Sequence, residues 1–143
     1  FQKTRLATII RNHMGQLRII VADDDPPMAA CIADMVQDVG YEVEKVITTG
    51  GIETIRYCQE HMVDVVITDV HMPELNGINV LKTLRSRPAA LRPFLIFVSG
   101  AFAESDPLID LARPDVFLSK PLRREEIGEA LAQAEKSLSS KPA

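Results

Sequence analysis

The stretch VVITDVHMPELNG, residues 65–77, contains the pattern that decides the fold. Its first four residues are apolar or β-branched, which is typical of a strand buried on both faces in the middle of a parallel sheet. The run leads directly into Asp69, and a Met-Pro pair and a glycine follow soon after it. A buried strand does not need a carboxylate at its end, so Asp69 is a candidate for chemistry at a sharp turn.

On both sides of this stretch the hydrophobic pattern alternates between the period of a strand and that of a helix. Strands are predicted at residues 17–22, 41–46, 63–68, 94–98 and 116–119. Helices are predicted at 26–39, 52–58, 79–87 and 122–138. This order implies an α/β fold, in which a parallel sheet is covered by helices on both faces and right-handed crossovers join the strands.

The segment between the last two strands, ESDPLIDLARP at residues 104–114, has room for only a short or irregular fourth helix. Pro107 can begin a helix but would break its interior, and Pro114 disfavours helix in the residue before it. A helix confined to residues 108–113 would have fewer than two turns, which is too short to be stable without packing. We therefore expect this element to be short and mobile.

The length, charge and hydropathy of the chain limit the classes of function that it can have. The chain has 143 residues, the size of one domain, and 46% of them are hydrophobic. The formal net charge of −4 argues against direct binding of nucleic acid by the chain as a whole. No apolar run approaches the roughly 18 residues of a membrane span, so we expect no membrane contact and a cytoplasmic location.

The two cysteines, Cys31 and Cys58, are expected to be reduced. Cys31 lies on an apolar helical stripe with Met28 and Ile32, so we expect it in the core.

The sequence predicts one folded domain at residues 17–138, followed by a polar tail at 139–143. Residues 1–16 carry basic residues and no acid, and they are either a native linker or a vector-derived segment. Both alternatives stay open at this point.

Polar residues stand at the ends of four predicted strands. The carboxyl ends of parallel strands meet at one edge of the sheet, where ligands of open α/β sheets bind. Clustered carboxylates repel one another and suit Mg²⁺, and a lysine can neutralise a phosphoryl oxygen. A carboxylate can also act as the nucleophile in phosphoryl transfer. The residues at these strand ends are Asp23, Asp24, Asp25, Asp69, Ser99 and Lys120.

With these residues in this order, the chain resembles the response-regulator receiver domains of two-component signalling. The resemblance covers residues 17–138. It rests on the acid pair after the first strand, on D-x-x-M-P-x-x-x-G at 69–77, on Ser-Gly after the fourth strand and on Lys-Pro after the fifth. It implies a flavodoxin-like, doubly wound sheet of five parallel strands in the order 2-1-3-4-5.

The resemblance also implies roles for the acidic residues. Asp69 would be the phospho-acceptor, and it would share a Mg²⁺ ion with two other aspartates. Asp24 would bind the ion directly and Asp23 through water, while the backbone carbonyl of His71 would complete the protein ligands. Asp25 is expected to cap the following helix instead of binding metal.

The remaining implied roles concern the phosphoryl group and the conformational switch. Lys120 would contact the phosphoryl group, Ser99 would swing toward it, and Phe117 would follow as an aromatic switch, although Phe117 could also be plain core. The phosphoryl donor would be a histidine kinase or a histidine phosphotransfer protein, and the output partner or attached domain is not named by the sequence. Such a domain is not an enzyme beyond its own phosphorylation and dephosphorylation.

Two alternatives remain. A haloacid-dehalogenase-like phosphatase also uses aspartates, a hydroxyl and a lysine, and Asp23-x-Asp25 mimics its D-x-D motif. Against it, Pro27 replaces the expected Thr or Val, Asp69 is left without a purpose, and the acid pair Glu125-Glu126 lies on a predicted helix. A receiver-like scaffold that signals without phosphate is the other alternative, and the intact set of site residues argues against it.

Overall fold

The computed structural model describes residues 17–70, 77–100 and 113–139, together with Pro107. These residues form five strands, four α-helices and one short 3-10 turn. The strands are β1 Ile19–Ala22, β2 Val43–Ile47, β3 Val65–Asp69, β4 Phe94–Ser99 and β5 Val116–Ser119. The helices are α1 Pro26–Asp38, α2 Gly51–Glu60, α3 Gly77–Arg85 and α4 Arg124–Ser139, and the 3-10 turn spans Ala89–Leu91.

All strand pairs are parallel, and the strand order is β2-β1-β3-β4-β5. The prediction of a flavodoxin-like, doubly wound sheet is therefore confirmed. The three inner strands are buried along their whole length, whereas β2 and β5 at the two edges are partly exposed. Full burial explains why the inner strands read as unbroken apolar runs instead of an alternating pattern.

Each inner strand sends alternate side chains into two separate cores. Side chains such as Ile19, Val65 and Ile96 pack on one face against α1 and α4. Their neighbours Ile20 and Val66 pack on the other face with α2 and α3. The helices contribute buried side chains to these cores, among them Val80, Leu81 and Leu84 of α3 and Ile127, Leu131 and Leu138 of α4.

The ends of α1 follow from its flanking residues. Asp25 is its N-cap and accepts a hydrogen bond from the Met28 N–H at 3.4 Å, and Pro26 occupies the first helical position. Gly40 follows the helix with φ = 98°, a conformation that glycine adopts at little cost. The helix therefore begins and ends at residues whose local chemistry favours a helix boundary.

One prediction about the core is wrong. Cys58 is buried, but Cys31 is exposed on α1. The buried residues of this helix are Ala29, Ile32 and Val36, and Cys31 precedes Ile32 by one position. One residue turns the helix by about 100°, so Cys31 lies outside the stripe that faces the sheet.

Several predictions concern residues that lie outside the described part of the chain. The linker or vector segment at 1–16, His71, and most of the short helix expected at 104–114 belong to this group. Among the described residues, no helix is both long enough and apolar enough to cross a membrane.

Candidate metal and phosphoryl site

Three aspartates converge beyond the carboxyl ends of β1 and β3. Carboxylate oxygens of Asp23, Asp24 and Asp69 all lie within 4.8 Å of one another. Asp23 and Asp69 are buried, while Asp24 is exposed. The sequence prediction that these three residues meet at one edge of the sheet is therefore matched by the structure, and their oxygens form the type of ligand set that Mg²⁺ prefers.

Lys120 brings a positive charge to the same place from the end of β5. Its Nζ lies 3.3 Å from Oδ2 of Asp23 and 3.5 Å from Oδ1 of Asp69. One ammonium therefore interacts with both buried carboxylates. The backbone N–H of Lys120 also donates to the Ser99 carbonyl at 2.9 Å, which joins the ends of β4 and β5.

Asp23 is held by backbone groups as well as by Lys120. Its own N–H donates to the Ile47 carbonyl at 3.0 Å, and its Oδ1 accepts the Asp25 N–H at 2.9 Å. With Oδ2 facing Lys120, both carboxylate oxygens have a fixed partner. The side chain is thus oriented before any ligand arrives, which reduces the entropy lost on binding.

The surroundings of Asp69 raise the pKa of its carboxyl group. Burial raises the pKa of Asp69 above its ordinary value of 3.8, and the nearby charge of Asp23 raises it further. The ammonium of Lys120 and the Val70 N–H act in the opposite direction and partly offset this rise. The charged carboxylate at the end of β3 is therefore held at an energetic cost.

Ser99 and Phe117 lie on the two neighbouring strands β4 and β5. Ser99 is fully buried at the end of β4. Phe117 on β5 is half-buried and meets Phe97 edge-to-face, with ring centroids 6.0 Å apart and an interplanar angle of 73°. Such a contact is favourable, and Phe117 packs against the core while it stays partly exposed.

Other site predictions have mixed outcomes. Asp25 caps α1, as expected. His71, predicted to offer its backbone carbonyl, lies outside the described residues. Glu125 and Glu126 belong to the first turn of α4, so in the described part of the chain they do not provide the strand-end acid pair that a haloacid-dehalogenase-like phosphatase needs.

Two supporting contacts were not predicted from the sequence. Gly100 lies beside Lys120, and a Cβ at this glycine would stand only 3.6 Å from the Lys120 Cβ. The Ser-Gly pair is recognisable in the sequence as part of a motif, but nothing in it indicates a contact with the lysine stem. The Asp25 N–H bond to Asp23 likewise depends on the backbone turn before α1, which residue types alone do not reveal.

This geometry suits one type of chemistry. A buried carboxylate at a rigid strand end can attack an electrophile, a lysine can neutralise charge on it, and two further carboxylates can hold a divalent cation. Phosphoryl transfer requires positioning and charge neutralisation above all, and both are provided here.

Comparisons with known proteins agree with this geometry. Residues 19–132 match the response regulator receiver domain family. A gliding motility regulatory protein from Myxococcus xanthus is 34% identical over 121 residues, which are 83% of this chain and 15% of that protein. The chemotaxis protein CheY of Bacillus subtilis is 30% identical over 116 residues, which are 80% of this chain and 93% of that protein.

A solved structure shows the same fold. The receiver domain of a sensor histidine kinase from Pseudomonas aeruginosa, which holds a magnesium ion in its active site cleft, superposes with a TM-score of 0.74 at 23% identity. The alignment covers 85% of this chain and 99% of that one. The chain thus spans nearly all of CheY but only a small part of the Myxococcus protein. Together with the family match, these relatives show that the chain belongs to the response-regulator receiver domains and is a signalling domain of the two-component type.

Proposed function

We propose that Asp69 accepts a phosphoryl group from a histidine kinase or a histidine phosphotransfer protein, and that this event switches the conformation of the domain. The observation that carries this assignment is the placement of Asp69. It lies at the end of β3, with its Oδ1 3.5 Å from the Lys120 ammonium and its oxygens within 4.8 Å of those of Asp23 and Asp24.

In the transfer step, an oxygen of the Asp69 carboxylate attacks the phosphorus atom of the donor phosphohistidine. A phosphorus–oxygen bond forms, the phosphorus–nitrogen bond breaks, and the imidazole nitrogen leaves with the electron pair. Lys120 favours the charged, nucleophilic form of Asp69 and neutralises a phosphoryl oxygen. Water later attacks the aspartyl phosphate, which releases inorganic phosphate and restores the carboxylate. Apart from these two reactions on itself, the domain performs no catalysis.

The residues present fit Mg²⁺. Asp23, Asp24 and Asp69 would hold the ion with the backbone carbonyl of His71, since three carboxylates within 4.8 Å form a hard oxygen site with excess negative charge. Once bound, the ion supplies charge neutralisation for phosphoryl oxygens. The magnesium ion in the Pseudomonas aeruginosa relative supports this choice of metal.

The switch would begin at Ser99. Its hydroxyl lies at the end of the strand next to β3 and would donate to a phosphoryl oxygen on Asp69. Phe117 is the aromatic group whose packing can follow, because it lies one strand further out and is only half-buried. The altered surface would then be read by an output partner or an attached domain.

The working unit is taken to be residues 17–138, with 1–16 as a linker or vector-derived segment and 139–143 as a tail. Similarity to one part of a longer Myxococcus protein supports a function as a module of a larger regulator, while similarity to CheY supports a stand-alone regulator. The domain would work in the cytoplasm, where ATP-dependent histidine kinases act, without direct contact to nucleic acid or membrane.

The test is phosphorylation by acetyl phosphate with Mg²⁺, followed by the mass of the intact protein. The parent should gain one phosphoryl group, and Asp69→Asn should gain none. Asp34→Asn, the same change at an exposed position on α1, is the matched control and should be labelled like the parent. Labelling of Asp69→Asn at the parent rate would refute the assignment, and steady turnover of a small phosphate ester would favour the phosphatase alternative.

A further inference from the structure

A polar clamp joins the end of α3 to the start of β5. Arg85, in the last turn of α3, donates from Nε to the Arg113 carbonyl at 2.6 Å and from Nη2 to Oδ1 of Asp115 at 2.9 Å. The second oxygen of Asp115 accepts the Leu95 N–H at 2.8 Å. Asp115 also donates its own N–H to the Leu95 carbonyl at 2.8 Å. Three elements, α3, β4 and the residues before β5, therefore meet at one carboxylate.

The clamp lies at the protein surface, but its geometry is that of a specific interaction. The side chains of Arg85 and Asp115 are each only 27% exposed. The guanidinium uses two different nitrogens on two different acceptors, a geometry that a lysine cannot reproduce. Arg113, whose carbonyl it holds, has φ = 55°, a conformation that a non-glycine residue keeps only when its surroundings fix it.

The strand that follows the clamp, β5, has few stabilising contacts of its own. β5 has four residues and lies at the edge of the sheet, where β4 is its only partner among the described strands. Short edge strands have few ladder hydrogen bonds and slip or fray easily. The Asp115 contacts fix the start of β5 against Leu95, and the bond from the Lys120 N–H to the Ser99 carbonyl fixes its end.

β5 carries two groups of the site in its short length. Phe117 pairs in register with Phe97, and Lys120 follows the strand directly. A shift of one residue would send Phe117 to the opposite face of the sheet, and a smaller tilt would move the Lys120 ammonium from its position between Asp23 and Asp69. The positions of Phe117 and Lys120 therefore depend on how firmly the start of β5 is held.

We propose that Arg85 is a positioning residue for the phospho-accepting site, which it supports through Asp115 and β5 by placing Lys120 and Phe117. This role rests on the phospho-accepting function proposed above. Arg85 itself contacts neither Lys120 nor the three aspartates, so it acts through the strand. A purely local role, in which Arg85 only stabilises the end of α3, would lower the melting temperature without changing the site.

The experiment compares Arg85→Ala and Asp115→Asn with Val36→Ala. Val36 is fully buried on α1 and is not part of the clamp, so its truncation lowers stability through lost burial and a cavity. All variants are titrated with beryllofluoride in saturating Mg²⁺, at a temperature where circular dichroism shows each of them folded. The two readouts are the apparent affinity for beryllofluoride and the chemical-shift change of the Phe117 ring at saturation.

We expect Arg85→Ala and Asp115→Asn each to weaken the apparent affinity by about three- to tenfold and to reduce the Phe117 response, because displacing a charged group by a fraction of an ångström has effects of this order. The double variant should bind beryllofluoride no more weakly than the more strongly affected single variant, since both substitutions remove the same clamp. Arg85→Lys keeps the charge but only one of the two contacts, and it should fall between Arg85→Ala and the parent. Val36→Ala should keep the parent affinity and response.

Two results would overturn this role. Arg85→Ala and Asp115→Asn could match the parent in both readouts, or Val36→Ala could lose as much as they do. If Arg85→Ala does not fold, Asp115→Asn and Arg85→Lys decide the question. A parent protein that does not respond to beryllofluoride would instead count against the proposed function, so the two failures are distinguishable.

Discussion

Asp23 and Lys120 lie 97 positions apart in the chain, and their side chains meet at 3.3 Å. Asp23 is completely buried, and Lys120 also faces Asp69 at 3.5 Å. Among the residues that the structure describes, one cation therefore compensates two buried carboxylates, with Asp24 as a third acid beside them. The charges of these four described side chains do not balance, and a bound cation would relieve the excess negative charge.

The first prediction concerns this excess of negative charge. In EDTA at neutral pH, Asp69→Asn should raise the free energy of unfolding by about 1 kcal/mol or more, because it removes a buried charge that burial and Asp23 both disfavour. Thermal melts of parent and variant measure this. Asp34→Asn, at an exposed position of α1, should leave the melting temperature nearly unchanged.

The same comparison has a defined pH dependence. The pKa of Asp69 is raised above 3.8 in the folded state, so between 3.8 and this higher pKa the folded state binds more protons than the unfolded chain. The parent therefore loses stability as the pH rises through that window, whereas Asp69→Asn does not. The advantage of the variant should be small below pH 3.8, grow through the window and then stay constant. A variant that melts below the parent at neutral pH would contradict a crowded acid site.

The second prediction concerns the metal. Mg²⁺ should stabilise the parent by about 2.7 kcal/mol when its concentration is 100 times the dissociation constant. Asp24→Asn should abolish most of this gain, since it removes a ligand from the cluster. Asp25→Asn is the matched control at the next residue. Because asparagine is also a good N-cap, this variant should keep α1 and respond to Mg²⁺ like the parent.

Melting curves with and without Mg²⁺ check both variants. An unchanged Mg²⁺ response in Asp24→Asn would remove Asp24 from the ligand set. A lost response in Asp25→Asn would mean that Asp25 binds the ion and that the helix cap is not its main role.

Much of the fold could be predicted from the sequence, because buried parallel strands leave unbroken apolar runs such as residues 65–68. The meeting of Asp23, Asp24 and Asp69 follows from topology, since the ends of parallel strands share one edge. Exposure at single positions was less predictable. Cys31 differs from the buried Ile32 by one step around a helix, and Asp23 is buried while the adjacent Asp24 is exposed.

Long-range side-chain contacts could not be predicted. Arg85 and Asp115 are 30 positions apart, and each has an ordinary local explanation as a residue at a helix end or before a strand. Only the arrangement of α3 beside the start of β5 shows that they meet. Pairs of this kind depend on the relative position of two elements, which a hydrophobic pattern does not contain.

The third prediction separates phosphate acceptance from the conformational response. Ser99→Ala should leave Asp69 able to accept phosphate from acetyl phosphate, because the nucleophile, the acids and Lys120 remain. It should weaken the response of Phe117, since the buried hydroxyl that would contact the phosphoryl group is missing. Intact mass measures acceptance, and the Phe117 ring resonances with beryllofluoride measure the response.

Ser119 provides the control for this variant. It pairs in register with Ser99 on the adjacent strand but is exposed, so Ser119→Ala removes a hydroxyl from the same region without touching the site. Ser119→Ala should respond like the parent. Equal responses in Ser99→Ala and the parent would exclude Ser99 from the switch.

The fourth prediction concerns the two cysteines. Burial raises the pKa of the Cys58 thiol to about 11, so at pH 8 it is almost entirely protonated as well as shielded. Cys31 is exposed on α1. Because the thiolate is the reactive form, iodoacetamide should label Cys31 in the native protein and leave Cys58 unlabelled, while both should react in urea.

Peptide mass mapping locates the label, and Cys31→Ser should take up none under native conditions. Slow labelling of Cys58 would require opening of the core around α2, and Mg²⁺ should slow it further if the opening is global, because the ion binds only the folded state. Rapid native labelling of Cys58, or protection of Cys31, would contradict the burial of these residues. Protection of Cys31 would also mean that the outer face of α1 is covered in solution by another part of the chain or by a second copy.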